Sequence, residues 1–300
     1  MKTTAYFIVI SAVAFSLVLF TSCVSDDSTG PPSKHDTTTT VVSAKIINHL
    51  CTDLAAIPQA AVDSAKTKLH IAYGHTSHGS QLVTGMTGLV DYRGSLYSFN
   101  SGGSGGALDL RDMPFSGASD LGNPDRSAWA AATRTYLDAH PDINVVIWSW
   151  CGEVSDATEA NITLYLNLMS SLEADYSNVK FVYMTGHLDG SGLNGNLHIR
   201  NEQIRAYCTA HKKILYDFAD IETYNPDGVY FGDKIPTDAC DYDNNDDGSR
   251  EANWAEEWQD AHPGEWYDCE SAHSEPLNAN QKAYAAWWLW ARLAGWEGLD

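Results

Sequence analysis

Residues 69–81 read Leu69-His70-Ile71-Ala72-Tyr73-Gly74-His75-Thr76-Ser77-His78-Gly79-Ser80-Gln81. A short β-rich run passes into a glycine-flanked turn, and a helix is expected to start there. Three further runs, at 144–150, 180–184 and 213–217, share the character of 69–73. Each is apolar nearly throughout, as expected for strands covered on both faces of a parallel sheet. Helical spacing alternates with them. One stretch, 126–139, opens after Asn123-Pro124-Asp125 and stops before Pro141; 156–175, 199–211 and 278–294 follow. Strands alternating with helices predict a three-layer, doubly wound, mostly parallel α/β sheet. In such sheets the loops at the carboxyl ends of the strands carry the chemistry.

The ends of the chain differ from this pattern. Lys2 and the apolar run 5–20 form a leader too short for a membrane span. It closes on Phe20-Thr21-Ser22-Cys23, which resembles the bacterial lipobox, so residues 1–22 are expected to be removed and Cys23 lipidated. Residues 23–41, rich in Ser, Thr, Asp, Gly and Pro, read as a flexible tether. Ser25-Asp26-Asp27 resembles the acidic surface-export signal of some bacterial lipoproteins. Residues 42–300 are then expected to form one domain, monomeric and held at the outer membrane by lipid alone. The formal charge of −21 argues against nucleic acid and anionic membrane surfaces as partners. Thirteen Asp or Glu and only Arg250 fall within 238–275, which marks an acidic insertion at about 236–269, before the last helix. An exported chain can form disulfides, and Cys240 and Cys269, which bracket that stretch, are the expected pair.

Ser77 sits where a strand-to-helix turn would present its hydroxyl at a helix N-terminus, with backbone amides near a developing oxyanion. A serine there can equally be a helix cap. A hydroxyl nucleophile needs a base, most often an oriented histidine. His273, in the stretch leading to the last helix, has Asp268 and Glu270 five and three residues before it, and either can orient the imidazole.

Together these residues resemble the SGNH (GDSL-like) hydrolases. His75-Thr76-Ser77-His78-Gly79 resembles the His-x-Ser-x-Gly form of the first family block. Glu270-Ser271-Ala272-His273, then Pro276 and Asn278, resembles the last. Residues 201–205 and 214–218 look like the family's penultimate helix and strand. The resemblance covers roughly residues 66–295 and implies an SGNH/flavodoxin-like fold with a serine esterase mechanism that requires no cofactor. It also implies an oxyanion glycine, for which Gly105 or Gly106 is expected. The family's Gly-x-Asn-Asp block has no counterpart, because Trp150-Cys151-Gly152-Glu153 stands there without an asparagine. A backbone N–H of Cys151 or Gly152, or the side chain of Asn194 or Asn196, would have to replace that donor.

His187, after the run 180–184, joins His75, His78 and His273 as imidazoles expected on the active edge. Glu153 and these histidines are expected to contact substrate. A metal-dependent enzyme acting on polysaccharide through the histidine cluster is an alternative. Asp243, Asn245, Asp247, Ser249 and Glu251 alternate around Gly248 as in a calcium loop, although Trp254 stands where a twelfth-position glutamate belongs. A structural Ca²⁺ is expected there. Trp254, Trp258 and Trp266 suit sugar stacking if exposed, whereas Trp287, Trp288 and Trp290 read as core. The expected activity is therefore an exported esterase acting on acylated glycan; the other alternative is a surface glycan-binding lipoprotein that has lost the chemistry.

Overall fold

The computed structural model describes residues 44–298; the leader, Cys23 and the tether lie outside them. Seven strands form one sheet in which every neighbouring pair is parallel. In chain order they are β1 (Lys45–Ile47), β2 (His70–Gly74), β3 (Phe99–Asn100), β4 (Leu108–Asp112), β5 (Val145–Trp148), β6 (Lys180–Met184) and β7 (Ile214–Tyr216). Their spatial order is β1-β7-β6-β5-β2-β4-β3. Helices α1 (Gln59–Lys68) and α2 (Ser80–Arg93) lie on one face with the terminal helix, described below. The opposite face carries α3 (Ala128–Ala139), α4 (Glu159–Asp175) and α5 (Asn196–Ala210). The architecture is a three-layer, flavodoxin-like α/β fold.

Side-chain alternation explains the uninterrupted apolar runs. Ile71, Tyr73, Val145, Ile147, Val182 and Met184 point into the core under α1 and α2. Their neighbours Ala72, Val146, Trp148, Phe181 and Tyr183 point into the core under α3 to α5. A strand with two covered faces has no position left for a polar residue. The strands missing from the sequence reading are those this rule does not reach. β4 alternates, reading Leu108-Asp109-Leu110-Arg111-Asp112, while β1 and β3 are short strands at the sheet edges.

From β2 the chain moves outward to β3 and β4, then returns past β2 to β5. The winding direction reverses between β2 and β5, and their carboxyl ends face a crevice. After β7 come α6 (Phe218–Ile221), the antiparallel pair β8 (Asp241–Tyr242) and β9 (Ala252–Asn253), α7 (Trp254–Ala261) and the terminal helix α8 (Pro276–Leu293). The β8–α7 insertion has its own small core of Phe231, Tyr242, Trp254, Trp258 and Leu277. Trp254 and Trp258 are therefore buried and offer no sugar platform, contrary to the sequence expectation. Trp287, Trp288 and Trp290 are core residues, as expected. Cys240 and Cys269 do not pair. Both are free thiols, with Cys240 Sγ 3.4 Å from Ser274 Oγ and Cys269 Sγ 3.4 Å from Asn280 Nδ2.

Candidate active site

The register places Gly74, the last residue of β2, opposite Trp148, the last of β5. A Cβ on Gly74 would stand 2.3 Å from the Trp148 ring, and one on Gly79 would stand 2.1 Å from Ser149 Oγ. Only glycine lets the 75–79 turn lie so close to the end of β5. The Tyr73 hydroxyl donates to Gly79 O at 2.8 Å, and Thr76 Oγ1 donates to the buried Asp120 at 2.6 Å. These contacts hold Ser77 at φ +42°, in the left-handed region that a non-glycine residue occupies at a cost of about 1–3 kcal/mol.

His273 also has positive φ, +62°, and its Nε2 is hydrogen-bonded to Ser77 Oγ. The two residues lie 196 positions apart in sequence. A buried polar network grips the histidine from both sides. Lys282, wholly enclosed, donates to Gln81 Oε1 at 2.6 Å, Glu222 Oε2 at 2.7 Å and Asn278 Oδ1 at 3.0 Å. Gln81 Nε2 donates to Ala272 O at 2.5 Å, and Asn278 Nδ2 donates to Ser274 Oγ at 2.7 Å. The neighbours of His273 on either side are thus fixed to one ammonium. Burial pulls the Lys282 pKa down, against the opposing pull of the Glu222 carboxylate.

Neither expected orienting acid reaches His273. Asp268 and Glu270 are exposed, and among the described residues no hydrogen bond joins either to the imidazole. The His273 ring instead stacks on His78 at 4.6 Å, and His78 stacks on His187 at 3.5 Å. His78 Nε2 lies 2.7 Å from Asp238 Oδ2. Burial holds the His78 pKa below the ordinary imidazole value. Burial also works against the Asp238 charge, yet the His78 hydrogen bond and both imidazoles outweigh it, keeping the carboxyl below its usual range.

The glycines expected to hold an oxyanion are elsewhere. Gly105 and Gly106 precede β4, whose Asp109 is in register with His70 at the start of β2; Ser77 follows the other end of that strand. The structure therefore does not bring Gly105 or Gly106 to Ser77. Among the replacements for the missing asparagine, Cys151 N–H is taken by Glu153 Oε2 at 3.0 Å. Asn196 Nδ2 is taken by Ser155 O and Ala157 O at 3.0 and 2.9 Å. Asn194 is exposed. Gly152 faces open space, since a Cβ there would meet nothing within 4 Å, and it follows Cys151, whose Sγ lies 4.0 Å from His78 Nδ1. Burial, then the neighbouring Glu153 charge, pushes the Cys151 thiol up, and burial likewise raises Glu153.

His75 is buried with its Nε2 2.6 Å from Asp112 Oδ1, beside a cavity of about 240 Å³ that Gly74, Met113, Phe115 and Trp148 also line. A larger cavity of about 440 Å³ opens past the loop after His187, lined by Asp189, His198, Glu202, Tyr224 and Tyr230 among others. In the acidic insertion, buried Asp243 accepts from the backbone N–H groups of Asn245, Asp247 and Gly248 at 3.2, 3.3 and 2.7 Å. One oxygen each from Asp243, Asp247 and Glu251 lies within 4.8 Å of the others. Asn245 Oδ1 accepts from Asp247 N, and Ser249 Oγ donates to Asp247, which keeps the Asp247 carboxyl below its usual range. Trp254, at the twelfth place, is buried in the insertion's core.

Asp238, Asp120, Glu222 and Lys282 did not stand out in the sequence. Asp238 is one of thirteen carboxylates in its stretch, and the others carry no spacing signal. In comparisons with known proteins, the chain matches no family model and no curated protein.

Proposed function

We propose that this chain is a serine hydrolase of the SGNH type, an esterase in which Ser77 attacks an acyl carbonyl and His273 takes and returns the proton. The observation that carries this reading is the hydrogen bond between Ser77 Oγ and His273 Nε2, formed by two residues in left-handed backbone conformations at the β2–β5 crevice. Such conformations persist only where the surroundings enforce them, and they cluster at functional sites. The N–H groups of Ser77 and Gly152 are the proposed oxyanion donors. The proposed substrate is an acylated extracellular glycan. The leader and Cys23 would carry the protein to the outer membrane on a lipid anchor. The Asp243–Glu251 loop is the proposed Ca²⁺ site, with a structural role.

The test is hydrolysis of a short-chain aryl ester by the purified protein and by Ser77→Ala. Loss of a nucleophilic serine typically costs about 10⁴-fold or more in rate. Full activity in the variant would remove Ser77 from the mechanism. One observation favours a second reading, a glycan-binding protein without the chemistry: no carboxylate hydrogen-bonds to His273 among the described residues. An inactive wild type that still binds glycan would support that reading.

A further inference from the structure

We propose that His78, His187 and Asp238 form a binding site for a divalent transition-metal ion of the zinc class, next to the Ser77–His273 pair and independent of it. The three side chains come from the turn after β2, the loop after β6 and the approach to β8. One donor atom from each lies within 4.8 Å of the other two.

Charge sets this cluster apart. Three buried carboxylates in the described residues are matched by a strong cation, Asp217 by Arg205, Asp109 by Arg111 and Glu222 by Lys282, while buried Asp120 and Asp243 accept from backbone N–H groups. Among the described residues Asp238 has no Lys or Arg in salt-bridge contact; its side-chain hydrogen bond is to His78, with His187 stacked beyond. An unpaired charge held largely out of water is costly, and a bound cation offsets it. The cluster of His70, Asp109 and Asp142 has similar donor types, but Arg111 already occupies it, with contacts to both carboxylates.

The protons are arranged to suit a ligand role. His187 Nδ1 lies 2.7 Å from Leu188 O, and a carbonyl can only accept, so Nδ1 carries the hydrogen and Nε2 the lone pair. That carbonyl's own residue is fixed in turn, because Leu188 N–H donates to buried Glu222. An imidazole whose second nitrogen donates to a backbone carbonyl is oriented as metal-ligating histidines are. His78 ligates through Nε2 once its proton moves to Nδ1, which faces the Cys151 sulfur at 4.0 Å. A tetrahedral shell with bonds of about 2.0–2.1 Å places neighbouring ligand atoms roughly 3.3 Å apart. The two ring centres are 3.5 Å apart with planes 8° from parallel, so both rings must turn and their centres move apart for the lone pairs to converge on one ion. Two imidazoles and a carboxylate suit zinc and leave a fourth position open. The Asp238 side chain is 26% exposed, which gives an ion a way in.

The probes are Co²⁺ and Zn²⁺ alone, titrated into the metal-free protein. The expected result is one Co²⁺ per chain with a tetrahedral visible absorption band, displaced by one equivalent of Zn²⁺. Asp238→Asn and His187→Gln keep the side-chain shapes and should each weaken binding by at least about 10–100-fold, the scale seen when even an outer-shell partner is lost. Thermal midpoints measured without metal show whether these variants remain folded. Ser77→Ala should bind Co²⁺ as the wild type does, so a failed esterase assay leaves this site standing. Absence of stoichiometric uptake would overturn the proposal. So would undiminished uptake in both folded variants, or loss of the band in Asp247→Asn, which would place the ion in the acidic loop.

Discussion

The two halves of the Ser77–His273 pair are held by opposite means. Ser77 is placed by short-range packing: Gly74 and Gly79 press the turn against Trp148 and Ser149, and Tyr73 and Thr76 tie it within a few residues or to an adjacent loop. His273 is placed by long-range polar contacts that run through Lys282 to Gln81, Asn278 and Glu222. A turn built by local sterics is rigid because it has no room. A loop held by a buried charge is fixed only while every partner of that charge is present.

The hardest test of this contrast is His273→Ala. If the imidazole is the base for Ser77, ester hydrolysis should fall about 10⁴-fold, comparable to Ser77→Ala. A solvated, uninvolved histidine would leave the rate near wild type. Next in size is Lys282→Met, which leaves Glu222 buried without its cation. Breaking one side of a buried pair typically costs about 3–5 kcal/mol, to be read as a lower urea midpoint. Adding Glu222→Gln should recover part of that loss, and no recovery would mean that the pair is not what holds the loop.

On the other half, Gly74→Ala forces a methyl into the Trp148 ring. Overpacking of this kind costs about 1–3 kcal/mol. An unchanged urea midpoint would show that the turn is looser than its packing implies. The smallest expected effect lies in the insertion. Millimolar Ca²⁺ should raise the thermal midpoint by a few degrees relative to chelator, because a ligand bound only by the folded state stabilises it by mass action. Asp243→Asn should abolish the rise. Equal midpoints with and without Ca²⁺ would leave a solvated acidic loop.

Legibility followed the same division. The central strands β2, β5, β6 and β7 were readable because burial on both faces leaves only apolar residues. Ser77 was readable because the glycines its turn needs lie within five residues of it. Gly105 and Gly106 misled because glycine marks any sharp turn, at either end of a sheet, and theirs lies before β4. Trp254 and Trp258 could serve as sugar platforms only if exposed, and the insertion buries them in its own small core.

The sequence alone determined the layer architecture, the edge of the sheet on which chemistry can sit, and the tight turn that carries Ser77. Each follows from periodicity or from sterics within a few residues of chain. Only the tertiary structure decided that His273 reaches Ser77, that Asp268 and Glu270 do not reach His273, and that Asp238 joins His78 and His187. These pairings close loops of up to 196 residues, and no local pattern records which of many carboxylates the fold will turn inward.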